Sequence, residues 1–110
     1  MNNISKENVH WLAGLLEGEG SFFVRKLKNH SYPTVMVKMC DKDIIDRLQK
    51  ITGIGKIYCK QPKNLNWKTA WAWQVSKTHD ALDVMRSVRS IMGNRRKEKI
   101  DWFLSYEWPK

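Results

Sequence analysis

Four stretches of this chain read as β-strands, in two pairs, and each pair follows a stretch of helical period. That order constrains the fold more than any other feature. The first helical pattern runs from about Ser5 to Gly18, with Ser5 as N-cap, Glu7 in the first turn, and Val9, Leu12, Leu15 and Leu16 near helical spacing. Gly18 and Gly20 end it. The β-rich SFFVRKLKN (21–29) and TVMVKMC (34–40) flank turn residues at 29–33 and predict a hairpin. Asp41 then caps a second helix, DKDIIDRLQKIT (41–52), closed by Gly53 and Gly55. KIYCKQ (56–61), a polar loop at 62–68 and the alternating TAWAWQVS (69–76) predict a second strand pair. A third helix is expected over 78–92, carrying Leu82, Met85, Val88 and Met92, and a short fourth over 94–108 after a basic turn. The order α-β-β-α-β-β-α-α predicts a single α+β domain over 1–110, with a four-stranded, largely antiparallel sheet and helices on one face.

Composition narrows the partners. With 110 residues and 20 Lys+Arg against 11 Asp+Glu, the formal charge of +9 favours a polyanion, nucleic acid first and an anionic membrane surface second. No helical pattern shows a clean Lys/Arg face for a membrane surface, so no membrane partner is expected. At 42% hydrophobic residues, with six Trp, the chain is too rich in core formers for a disordered basic tail. It has no run near the roughly 20 apolar residues of a membrane span, and its start shows no secretory pattern. The expectation is an intracellular protein that is not secreted, in a microbial or phage-infected cytoplasm or an organelle. Cys40 and Cys59 show no metal-ligand spacing, which predicts two reduced, buried thiols. His10, His30 and His79 are scattered and read as packing or capping residues.

The segment 11–22, WLAGLLEGEGSF, is the most unusual. Gly14 and Gly18 lie four apart, on one helix face, where another backbone can approach closely. Each glycine costs about 1 kcal/mol relative to Ala inside a helix, so something should offset it. Glu17 and Glu19 sit at the helix C-terminal end, where the dipole disfavours anions. On the residues alone, two readings stand: a bound cation, or solvated carboxylates at a helix end.

LAGLLEGEG (12–20) resembles the LAGLIDADG motif of homing endonucleases. Leu12, Ala13, Gly14, Leu15 and Gly20 are identical to it, Glu17 and Glu19 replace Asp, and Gly18 replaces Ala. The element order that follows extends the resemblance over nearly the whole chain. The resemblance implies a saddle-shaped antiparallel sheet and motif helices that pack together across a twofold axis through Trp11, Leu12, Gly14, Leu15 and Gly18. It implies that Glu19, with the Gly18 carbonyl, holds Mg²⁺ near a scissile phosphate, a hard all-oxygen site. Glu17 is read as a structural acid at the helix end. The family's late basic residue is placed at Lys97, with Arg96 and Lys99 as alternatives. Only one motif occurs in this sequence, so the expected active form is a homodimer on a near-palindromic target.

Strand alternation suggests the DNA face. With Phe22, Val24, Val35, Val37, Met39, Ile57, Cys59, Trp71, Trp73 and Val75 turned inward, Arg25, Asn29, Thr34, Lys38, Lys56, Tyr58, Lys60 and Gln74 turn outward. Arg25 would prefer guanine, and Asn29 or Gln74 adenine. Arg95, Arg96 and Lys99 are expected on phosphates. The function implied is a Mg²⁺-dependent, site-specific double-strand DNA endonuclease that leaves short 3′ overhangs. The alternative is a maturase acting on its host intron RNA, or a DNA-binding protein that does not cut. Met39 is what leaves room for it: it stands where many members carry a Gln or other polar group and cannot orient water by hydrogen bonding.

Overall fold

The computed structural model describes residues 1–61, 64 and 66–109, so the expected 62–68 loop lies partly outside the described residues. Helix α1 (Lys6–Glu19) begins where the Ser5 hydroxyl accepts the Asn8 N–H at 3.2 Å, the capping expected of that residue. It ends at Gly20, whose N–H donates to the Leu16 carbonyl. A Cβ on Gly20 would stand 2.7 Å from that carbonyl oxygen, so only glycine lets the chain leave the helix directly into a strand. Gly18 therefore lies within the helix and does not end it.

Strands β1 (Gly20–Leu27) and β2 (His30–Met39) pair antiparallel from Gly20 opposite Val37 to Leu27 opposite His30. The turn is Lys28 and Asn29 alone, with Lys28 at a left-handed φ of 53°, and β2 starts four residues earlier than the turn chemistry of 29–33 suggests. Pro33 is tolerated because β2 pairs with the later strand β4 (Ala70–Val75) only from Val35 onward. Beside Pro33 that flank is free of ladder bonds, so no N–H is missed there. Helix α2 (Lys42–Thr52) leads to β3 (Lys56–Lys60), which pairs antiparallel with β4. The sheet order is β1-β2-β4-β3, entirely antiparallel.

Helix α3 (Thr78–Val88) stops earlier than its apolar spacing predicts and passes into a 3-10 turn, Arg89–Ile91. Helix α4 (Asn94–Ser105) then takes the basic run into its own first turns. The core lies between one sheet face and the helices: Phe22, Val35, Val37, Trp73 and Val75 meet Leu12, Leu16, Ile45, Leu48, Val84, Val88, Ile100 and Phe103. Burying each Leu or Phe here contributes roughly 1.5–3 kcal/mol.

Three expectations need correction. Leu12 is fully buried in its own core, so it is not on the surface that a second helix would meet. Thr34 is also fully buried, although its strand position faces the open side of the sheet. Its hydroxyl donates to the Tyr32 carbonyl at 3.3 Å. Cys40 and Cys59 are exposed; Cys59 lies on the edge strand β3, where the helices cover little. Among the described residues, no helix is long and apolar enough to cross a membrane.

Candidate active site and nucleic-acid face

The two carboxylates at the end of α1 meet different surroundings. Glu17 is held inside the chain: its Oε1 accepts the Gly93 N–H at 2.5 Å, and its Oε2 lies 3.5 Å from Arg96 Nε. Arg96 Nη2 donates to the Glu17 main-chain oxygen at 3.2 Å, and the guanidinium lies 5.5 Å from the centre of the Phe22 ring. With its side chain only 14% exposed, Arg96 is turned onto α1 and away from the outward position expected of a phosphate contact. Its Nε is buried without a hydrogen-bond partner among the described residues.

Glu19 is the last helical residue and is exposed. Among the described residues it forms no ion pair. The last carbonyls of α1, Gly18 among them, have no intrahelical donor, and the negative end of the dipole lies there. Immediately beyond is a cleft of about 300 Å³ lined by Gly20, Ser21, Arg95, Arg96 and Lys99. Arg95 and Lys99, one helical turn apart on α4, both reach this cleft. Lys97 does not line it; its charge acts on Asp101, four residues along the same helix.

A hard divalent ion fits the donors at this helix end: a carboxylate without a partner and a carbonyl, at the negative pole of a dipole. Among the described residues no three His, Cys, Asp or Glu side chains converge on a metal position. Mg²⁺ does not need such a cage, since it is commonly held by one or two carboxylates with substrate phosphate and water.

On α1, Trp11, Gly14, Leu15 and Gly18 form one stripe at i, i+3, i+4 and i+7, beside the buried Leu12, Ala13 and Leu16. A Cβ on Gly14 or Gly18 would meet nothing within 4 Å, so neither glycine is needed by the packing of its own chain. Trp11 is half-buried, with the Arg47 guanidinium 4.1 Å from the centre of a ring.

Strand register places the outward residues in rows. Ser21, Met36, Gln74 and Lys56 face one another across all four strands. Lys38, Ala72 and Tyr58 form the next row, with Lys60 beyond, opposite Ala70. Lys38, Lys56, Tyr58 and Lys60 are exposed, and Asn29 is exposed in the hairpin turn. Arg25 pairs with Tyr32, and both line a cleft of about 540 Å³ together with Lys56, Tyr58 and Gln74. Gln74 Nε2 donates to Ser76 Oγ at 2.9 Å, which restrains the amide. Tyr32 was missed as an outward residue because it was read into the turn; carrying the alternation back from Thr34 would have found it.

The sheet is open and antiparallel with exposed lysines on its outer face, and α1 enters it at an exposed carboxylate. The family model described as LAGLIDADG endonuclease matches residues 12–87, and the chain belongs to that family. No curated protein matches the sequence.

The fold is similar to that of the archaeal intron-encoded homing endonuclease I-Vdi141I complexed with DNA, at 17% identity and TM-score 0.66 over 89% of this chain and 63% of that one. It is similar to the group I intron-encoded homing endonuclease I-CeuI complexed with DNA, at 15% identity and TM-score 0.71, covering 96% of this chain and 56% of that one. It is also similar to the homing endonuclease I-CvuI in complex with its target in the presence of 2 mM Ca, at 14% identity and TM-score 0.68, covering 89% and 66%. The chain thus spans about three-fifths of the first two of these proteins.

Proposed function

We propose that this chain is a site-specific, Mg²⁺-dependent endonuclease of the homing type that acts intracellularly, as a homodimer, on near-palindromic double-stranded DNA. The observation that carries the reading is Glu19, without an ion pair among the described residues at the end of α1, directly before Gly20 and Ser21, which line a cleft with Arg95 and Lys99. The outer sheet face supplies Arg25, Lys38, Lys56, Tyr58, Lys60 and Gln74 to a groove. Arg95 and Lys99 bind phosphate oxygens and offset charge that develops during hydrolysis. Glu19 and the Gly18 carbonyl hold the ion. When bound, Mg²⁺ polarises the phosphodiester and lowers the pKa of water.

One motif supplies one such carboxylate, and two strands need two. The α1 stripe of Trp11, Gly14, Leu15 and Gly18 supports a second copy packed on the first, which a C₂ axis would match to like half-sites. Met39 favours a second reading, a non-cleaving DNA binder or an intron RNA maturase. It lies at the end of β2 opposite Trp71 and offers water no hydrogen-bonding group. The deciding experiment incubates the protein and Mg²⁺ with DNA spanning the uninterrupted insertion site of its host element. Cutting of both strands supports the nuclease; tight binding without cutting or nicking favours the second reading.

A further inference from the structure

Helix α1 has no basic residue in its last turn, and α4 has neither an acid in its first turn nor a side-chain N-cap. Each helix end therefore lacks the charge that its dipole favours. The other helix supplies it. Glu17 places a carboxylate on the Gly93 N–H, at the start of α4, and Arg96 returns a guanidinium to the Glu17 carbonyl, at the end of α1. This exchange crosses the chain from residue 17 to residue 96, at the edge of the cleft that Arg96 lines together with Arg95 and Lys99.

We propose that Glu17 and Arg96 are a reciprocal helix cap that positions Arg95 and Lys99 against the Glu19 end of α1, and that Arg96 is a positioning residue and not a DNA contact. Its effect on cleavage rests on the nuclease reading above; its absence from the DNA contacts does not. The geometry supports the separation of roles. Arg96 lines the same cleft as Arg95 and Lys99, but its Nη2 donates to α1 and its flat face lies near Phe22, whereas Arg95 and Lys99 are exposed. Glu17 keeps the Arg96 charge from adding to the basic face. A small misplacement of a group at a reacting centre can cost on the order of 100-fold in rate, so a clamp two residues from Glu19 matters to chemistry as well as to folding.

The test measures the salt dependence of binding to a duplex of arbitrary sequence, which needs no knowledge of the target. Each phosphate contact adds about 0.9 to the magnitude of the log–log slope. For Arg96→Gln the expected slope is that of the wild type. For Glu17→Gln the amide still accepts from Gly93 and the main-chain oxygen still accepts from Arg96, but the ion pair is lost; the Arg96 charge is no longer offset and the slope steepens by up to about 0.9. If Arg96→Gln instead loses about 0.9 and Glu17→Gln leaves the slope alone, Arg96 is a phosphate contact and the proposal is overturned. Arg96→Lys, which keeps the charge without the fork, guards against a variant that does not fold.

On cleavable DNA, both Glu17→Gln and Arg96→Gln should cut at least about tenfold more slowly at saturating DNA, with Arg96→Lys intermediate. Unchanged cutting rates among folded protein would overturn the positioning role. A wild type that cuts nothing would remove the nuclease reading and leave the slope test in force.

Discussion

The indole of Trp73 occupies the space that a side chain at position 55 would need. A Cβ on Gly55 would stand 2.5 Å from Trp73 Nε1, and Gly55 has a φ of 88°, a conformation that side chains disfavour. Trp73 cannot yield, since it is fully buried and its Nε1 donates to the Ile54 carbonyl at 3.0 Å. Gly55→Ala should therefore destabilise the fold by about 2–4 kcal/mol, combining backbone strain with overpacking. Urea unfolding checks it, with a lower midpoint and an unchanged slope.

Gly14 presents the opposite case, because a side chain there meets open space in its own chain. Gly14→Val should leave the thermal midpoint of dilute protein unchanged or raised, since glycine is the poorer helix former. It should weaken self-association at least tenfold if the α1 stripe is the dimer surface. Sedimentation equilibrium reads this directly, and an unchanged dimer constant would move the interface elsewhere.

On the open sheet face, neighbouring residues should behave differently. Lys38→Ala removes an exposed cation and should reduce the salt slope of DNA binding by about 0.9. Thr34→Val, four residues earlier and fully buried, should leave that slope and the sequence preference unchanged.

Arg89 forks onto Asp101, with Nε to Oδ1 at 2.5 Å and Nη2 to Oδ2 at 2.8 Å, tying the 3-10 turn to α4. The hydrogen bond from Arg89 holds the Asp101 carboxyl below its ordinary value against the opposing effect of desolvation, with smaller help from the charges of Arg89 and Lys97. A carboxyl depressed in the folded state stabilises the fold above its unfolded pKa, about 3.9, and loses that contribution as pH falls through the lower folded value. Both side chains are largely exposed, so the effect is small and screened by salt. Asp101→Asn should flatten the stability–pH curve below about pH 4 and leave its shape near neutrality unchanged. Denaturant titrations at stepped pH and low salt check this.

Local signals carried most of the fold. Ser5 caps α1, and alternation through Trp71, Trp73 and Val75 placed β4, because those features depend on residues close in sequence. The start of β2 was hidden because His30 to Pro33 carry turn chemistry, and only the free flank beside Pro33 makes a strand possible there. Leu12 shows a different limit: motif identity pointed to an interface, while helical phase with Ala13 and Leu16 puts it in the core. At the candidate site, the place of Glu19 at the end of α1 was legible from the helical pattern that precedes Gly20. The different surroundings of Arg95, Arg96 and Lys97 were not, because they depend on α4 meeting α1 across nearly the whole chain.

The central claim is that Glu19 holds the ion that drives strand cleavage. Its most direct test is single-turnover cutting of insertion-site DNA by wild type and Glu19→Gln, each across a Mg²⁺ titration, with binding measured in parallel. The account predicts full DNA binding by Glu19→Gln and a cutting rate lower by at least about 1,000-fold, consistent with losing several kcal/mol of metal-assisted stabilisation. Equal cutting by Glu19→Gln at the same Mg²⁺ midpoint would contradict it and place the metal away from the end of α1.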